Sequence, residues 1–364
     1  LKEKGIDMLK RLAVLACAVV LAGTLGACST PSKSDAPVKT PEASQKQEIV
    51  HDSLGNEFKA PMNIKRAVVL NSSAYDIIKV LGKEDAVIGV SDSIHDGAGA
   101  GSPAAQKENL GNWRKPNVEK ILDANPDVVF GYGSWLDSGI AQQLKDAGVP
   151  VVMVGLYMPS KILDEVKFMG KILGAEKRAN EFCSDIEQQL NLVKKRVQNE
   201  KHLKAYWEVY NDYKSAAQGS GADEMMTLAG LANMTHDQKV IYPKVSDEWV
   251  LQEQPEIIIK ALSDTKHILG PNVTDDSKAK EACQAIGARP GWDALPAIKN
   301  HKVVLLSSRI STSPLGLAVT PLVIAKTAYP DKFKDVDPEK TIKTFLKKYW
   351  NEDTNHVWMY QANK

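Results

Sequence analysis

From Glu48 onward the chain alternates short apolar runs with amphipathic stretches. Ile49-Val50-His51-Asp52-Ser53, a turn centred on Leu54-Gly55-Asn56, and Glu57-Phe58-Lys59 predict a hairpin. Arg66-Ala67-Val68-Val69-Leu70 reads as a buried strand, and Asn71-Ser72-Ser73 can cap a helix over 74–81 that ends at Gly82. Further strand-length apolar runs occupy 87–90, 127–130 and 150–154, with helices predicted over 117–122 and 138–147. Strands apolar at every position need cover on both faces. The alternation therefore predicts βαβ units in an open sheet.

Over 162–173 and 177–199 apolar residues recur at helical spacing with no strand beside them, through Phe182, Ile186, Leu190, Val193 and Val197. This predicts a helical connector interrupted at Gly174. The βα pattern then returns, with strands over 203–209, 256–260 and 303–306 and helices over 222–229, 245–252, 315–329 and 338–350. Two α/β lobes are expected, one over 48–160 and one over 203–364, joined by a connecting helical region over 161–202.

The region before Glu48 has a different character. Lys2, Lys4, Lys10 and Arg11 precede an apolar run over 12–25 that is short for a membrane span, so residues 1–27 read as an export signal. Leu25-Gly26-Ala27-Cys28 resembles the bacterial lipobox, a likeness that implies a diacylated Cys28 as membrane anchor. Two acyl chains anchor stably where one holds marginally. Residues 28–47, rich in Ser, Pro, Lys, Ala and Thr, read as a flexible tether. Cys183 and Cys283 remain, outside any metal-like C-x-x-C spacing, and are expected as two buried thiols.

Charge and motifs narrow the chemistry. With 46 basic and 45 acidic residues the chain offers no global attraction for a polyanion, and nucleic acid is not an expected partner. There is no P-loop, no dinucleotide fingerprint and no G-x-S-x-G elbow. The seven histidines are scattered without an H-E-x-x-H pattern; His95 and His236, each in a loop beside aspartate, are the most site-like. Gly219-Ser220-Gly221 precedes a helix and can admit an anion at its N-terminus.

Three blocks carry a family resemblance: residues 65–82; Gly111-Asn112-Trp113-Arg114-Lys115-Pro116-Asn117-Val118-Glu119 running into Pro126-Asp127-Val128-Val129; and Trp292-Asp293-Ala294-Leu295-Pro296 before the 303–306 strand. A counterpart of the second block begins at Val245-Ser246-Asp247-Glu248-Trp249 and runs into Pro255-Glu256-Ile257. Together they resemble the periplasmic-binding-protein family that serves siderophore, haem and cobalamin importers. The resemblance implies an α/β fold of two Rossmann-like lobes joined by a rigid long α-helix, with the ligand cleft between the lobes. It also implies a binding role without catalysis, no intrinsic cofactor, and an extracytoplasmic location.

The implied partners are an ABC permease dimer with its cytoplasmic ATPase, a small-molecule chelate, and the membrane through Cys28. Glu119 and Glu248 match the acidic residue that members of this family carry at each lobe tip for permease docking. Loops at the C-terminal ends of strands should line the cleft, which nominates Asn71, Ser72, Ser73, Tyr132, Trp135, Tyr157, Tyr210, Tyr213, Lys214 and Arg309. Aromatic area beside basic groups suits a ferric siderophore, the first expectation for the solute. A haem, corrinoid or oxyanion importer component, a ligand-sensing surface lipoprotein, and an enzyme on the same scaffold are the alternatives.

Overall fold

A computed structural model describes residues 47–97, 102–353 and 355–362. The segment read from sequence as an export signal, Cys28, and all but the last residue of the expected tether lie outside the described residues.

The predicted hairpin is β1 (Glu48–His51) paired antiparallel with β2 (Glu57–Ala60). Asp52 closes its turn by accepting from the amides of Leu54 and Asn56. The first lobe then runs β3 (Ala67–Val69), α1 (Ser72–Val80), β4 (Val87–Val90), α2 (Asp92–His95), β5 (Glu108–Asn109), α3 (Val118–Asp123), β6 (Val128–Tyr132), α4 (Ser138–Asp146) and β7 (Val151–Val154). Its five strands are parallel in the order β5-β4-β3-β6-β7. Val68, Val129 and Val152 show no exposed surface, as strands covered on both faces require.

Two helices leave this lobe, α5 (Pro159–Ile172) and α6 (Glu176–Val197). Gly174, at φ +61°, makes the turn between them. The 22 residues of α6 span about 33 Å at 1.5 Å per residue. The second lobe follows as β8 (Lys204–Val209), α7 (Gly221–Leu228), β9 (Ala232–Asn233), α8 (Asp247–Glu253), β10 (Ile257–Leu262), α9 (Ser277–Gly287), α10 (Pro296–Lys299), β11 (Val303–Ser307), α11 (Ser308–Ser311), α12 (Pro314–Ala328), α13 (Pro338–Phe345) and β12 (Met359–Gln361).

Its sheet order is β12-β11-β10-β8-β9, and β12 alone runs antiparallel. Read from β8, this repeats the first lobe: β8 stands where β3 does, β9 where β4 does, β10 where β6 does and β11 where β7 does. The helices α3 and α8 are therefore counterparts, each feeding the strand beside the lobe's first. Helix α12 is apolar around its whole circumference and buried except at Lys326, because it lies against both α5 and α6.

The pattern missed the short elements α2, β5, β9, α10 and α11, and with them α9 and β12. Helix α9 has only Ala279, Cys283 and Ile286 buried, too sparse an apolar face to stand out, and β12 owes its place to pairing with β11. The helix expected over 338–350 gives way after Phe345 to a π-turn over Leu346–Trp350. Cys183 and Cys283 are buried free thiols, and burial pushes each up to about 11. Among the described residues no helix is long and apolar enough to cross a membrane.

Candidate functional site

A cavity of about 280 Å³ opens between the lobes. The first lobe contributes Trp113, Arg114, Tyr132, Trp135 and Tyr157. Facing them are Trp207, Val209, Tyr210, Asn211, Lys214 and Tyr242, with Gly221, Ala222, Ala261, Ser311 and Thr312 completing the wall.

Local backbone chemistry places these side chains. Tyr132 ends β6, and Gly133 at φ +45° turns the chain toward Trp135. Beyond β7, Gly155 and Leu156 donate their amides to Glu165 of α5, which fixes Leu156 at φ +57° and delivers Tyr157 to the cleft. Tyr132 meets Tyr157 edge-on at 5.8 Å and lies 5.3 Å from Trp113. The Arg114 guanidinium sits 4.7 Å from the Trp113 ring and 5.0 Å from that of Trp135, a double cation–π contact. Across the cleft, Lys214 Nζ is 5.8 Å from the Tyr242 ring.

The floor is the first turn of α7. A side chain at Gly221 would meet the Tyr157 carbonyl oxygen at 2.4 Å, so only glycine permits this approach of the lobes. Helix N-termini carry partial positive charge. Two carboxylates in this turn are already engaged: Asp223 with His236 at 2.9 Å, and Glu224 with the amide and hydroxyl of Ser160 on α5.

Among the described residues, two cations and no carboxylate line the cavity. Burial, followed by the neighbouring phenols, raises Tyr132 and Tyr242 above the ordinary phenol range. Burial likewise raises Tyr210, against a hydrogen bond with Ser311, although 39% of that residue remains exposed to the cleft. All three keep their protons at neutral pH and stay hydrogen-bond donors. Cations, phenolic donors and a helix N-terminus converge on one volume, and the chemistry they complement is negative.

Of the residues predicted from sequence, Tyr132, Trp135, Tyr157, Tyr210 and Lys214 converge here. The structure does not bring the others to the cavity. Asn71 is buried as the cap of α1, accepting from the amides of Ser73 and Ala74 and donating to the Val154 carbonyl; Ser72 and Ser73 belong to the same capping turn. Tyr213 turns away, its hydroxyl donating to Asp247 at 3.2 Å and its ring 6.1 Å from Trp292. Arg309 is committed to Glu352 and Asp76.

The reading of strand ends missed Arg114, Asn211, Tyr242 and Trp207. Arg114 lies within the 111–119 block beside Trp113, the adjacent indole being its one local signal; Trp135 reaches it only through the fold. Glu119 and Glu248 are both exposed, each in the first turn of its counterpart helix, α3 or α8, after the caps Asn117 and Ser246.

Two α/β lobes closing on an aromatic, basic cavity define a solute receptor. The chain belongs to the periplasmic binding protein family, which matches residues 68–310. It is a family of binding proteins, not catalysts. The chain is 26% identical over 341 residues to an uncharacterized ABC transporter substrate-binding lipoprotein, YvrC of Bacillus subtilis, covering 90% of this chain and 100% of that one. It is 24% identical over 334 residues to the molybdate-binding protein MolA of Haemophilus influenzae, covering 83% and 90%. The molybdate-bound structure of MolA superposes with a TM-score of 0.70 at 21% identity, covering 85% of this chain and 99% of that one. A TroA-like periplasmic binding protein, FepB of Veillonella parvula, gives 0.74 at 23% identity, covering 86% and 99%. These likenesses in structure establish the shared fold.

Proposed function

We propose that this protein is the extracytoplasmic receptor of an ABC importer for an anionic solute, an oxyanion or an anionic metal chelate, held between Arg114 and Lys214. The observation that carries this reading is a cavity wall that, among the described residues, has two cations, several protonated phenols and no carboxylate. A ferric siderophore is one member of this class, with haem, through its propionates, and molybdate-like oxyanions beside it. The cavity, about 280 Å³, lies just below the range of roughly 300–1,000 Å³ usual for drug-sized ligands. That size favours an oxyanion or compact chelate over a corrinoid. The match to a molybdate-binding relative, over 83% of this chain and 90% of that one, supports the same choice.

Anchorage through lipid on Cys28 belongs to the proposal, supported by the lipobox-like Leu25-Gly26-Ala27-Cys28 and by the lipoprotein relative in Bacillus subtilis. Metabolic labelling with a tagged fatty acid should mark the parent and spare Cys28→Ser. Equal labelling removes the anchor from the reading.

Calorimetry with molybdate, a ferric tris-catechol complex, haem and cobalamin tests the solute class. At least one of the three anionic probes should bind, and Arg114→Ala and Lys214→Ala should each weaken it by about one to two powers of ten, the worth of a charge-assisted hydrogen bond. Preference for cobalamin, insensitive to both substitutions, overturns the assignment.

A further inference from the structure

Behind the cleft wall, outside the cavity lining, lies a charged cluster. Residues 210–214 follow β8, and Tyr210, Asn211 and Lys214 of this segment line the cavity. The turn is tight, with the Val209 amide donating to the Lys214 carbonyl at 2.7 Å. Tyr210 at φ +56° and Tyr213 at φ +60° both sit in the left-handed region, which bulky residues rarely occupy unless their surroundings hold them there.

What holds them is on the reverse side. Asp212 accepts from Lys260 Nζ at 2.7 Å and lies 3.0 Å from Arg289 Nη2. The same two cations grip Glu208, which is wholly buried, at 2.8 Å from Lys260 and at 2.7 and 3.1 Å from Arg289. Glu208 also accepts from the Tyr213 amide at 3.0 Å. Two cations facing Glu208 alone would leave surplus positive charge where the Lys260 side chain is only 4% exposed, and Asp212 completes the balance. Asp212 itself is 64% exposed, so it fills no core space.

We propose that Asp212 is a positioning residue for solute capture, its carboxylate tying residues 210–214 to Lys260 and Arg289 so that Tyr210, Asn211 and Lys214 are presented to the cavity. This rests on the anionic-solute reading, and electrostatics gives it a sign. If Asp212 acted only through its charge, its removal would strengthen binding of an anion nearby. As a positioning residue, its removal weakens binding, because Lys214 and Tyr210 lose their fixed geometry.

The test compares the parent with Asp212→Asn and Asp212→Ala in the full chain. Hydrogen exchange of the unliganded protein should accelerate over residues 209–215 and stay unchanged in β3, β6 and α6. Titration with molybdate and with the ferric tris-catechol complex should show about tenfold weaker binding of whichever probe the parent binds. Unchanged exchange over 209–215, acceleration spread over the whole molecule, or equal or tighter binding each overturns the positioning role. A parent that binds neither probe, nor haem, counts against the anionic reading, while the exchange measurement still decides the role of Asp212.

Discussion

Arg309 and Glu352 are joined by two hydrogen bonds, from Nη1 at 3.1 Å and Nη2 at 3.2 Å, at the centre of a ladder of charges that crosses the lobes. Arg309 begins beyond β11 of the second lobe, whereas its other partner, Asp76 at 3.5 Å, belongs to α1 of the first. Lys79, also on α1, donates to Glu352 at 3.1 Å. The Trp350 and Trp358 rings lie 5.9 and 5.2 Å from the guanidinium. The arginine is thus a strut between lobes.

Arg309→Ala should therefore destabilise the protein by about 2 kcal/mol, the order of a hydrogen bond to a charged group, while leaving solute affinity nearly unchanged. Glu352 gives the pH dependence. Burial alone would raise its carboxyl, but Arg309 and Lys79 together hold it below the ordinary glutamate range. A depressed carboxylate contributes stability that is present above its unfolded value and is lost as pH falls through the folded one. Denaturant titrations between neutral and acid pH should show a shallower acid loss in Arg309→Ala than in the parent. Retained stability with lost affinity would return Arg309 to the cleft.

Gly221→Ala tests the floor. Its added carbon would lie 2.4 Å from the Tyr157 carbonyl oxygen and 3.2 Å from Thr312 Cγ2, and a backbone oxygen cannot step aside as a side chain can. Overpacking of this kind costs about 1–3 kcal/mol. The lobes should be pushed apart where α7 meets Tyr157, weakening solute binding together with stability. An unaltered affinity would show that the first turn of α7 takes no part in holding the solute.

The rim carries a proton-linked contact. His236 is raised above the ordinary histidine value, first by its hydrogen bond to Asp223 and then by that carboxylate's charge. A histidine raised in the folded state contributes stability that is full below its unfolded value and is lost as pH rises through the folded one. The segment after it carries Ile241 and Tyr242, whose neighbours are tied back by Ala217 donating to the Ile241 carbonyl and Ser215 to that of Pro243. Hydrogen exchange over residues 236–243 should therefore quicken as pH rises through and above the ordinary histidine range, after correction for the intrinsic rate, and His236→Gln should abolish the dependence.

What could be read from sequence divides along physical lines. Strand cores such as Val68-Val69 and Ile257-Ile258-Ile259 announce burial by composition, and the rule that clefts form at the C-terminal ends of strands found Tyr132, Tyr157 and Tyr210. The same rule nominated Arg309, which stands at such an end but is captured by Glu352, a partner 43 residues further on. Asn71 failed for a local reason, since its carbonyl oxygen caps α1 and its Nδ2 donates to the Val154 carbonyl, which holds the side chain inside the fold. Tyr242 was invisible because it lies on a long connection without a strand, held to the cleft by backbone bonds from Ser215 and Ala217. Pairing partners distant in sequence are what the pattern does not encode.

Glu119 and Glu248 give the prediction that bears most directly on the proposed importer. Each is exposed at the first turn of a helix, α3 or α8, and topology makes these helices counterparts in the two lobes. Among the described residues neither side chain forms an ion pair within the chain. A carboxylate at a helix start is ordinarily explained by the dipole, a contribution of about 0.3–1 kcal/mol at an exposed site. On that explanation Glu119→Gln and Glu248→Gln cost a little stability and nothing else. If instead they dock on cationic groups of a permease, the double substitution should leave folding and solute affinity intact and abolish transport in reconstituted vesicles, with each single change giving a partial loss. Losing one partner of an interfacial charge pair that becomes buried costs about 2–5 kcal/mol, far above the dipole contribution, so the two explanations separate cleanly. Calorimetry and transport must be measured on the same preparations. Full transport by the double variant would falsify the docking role, and lost solute affinity would place at least one glutamate in the binding machinery instead.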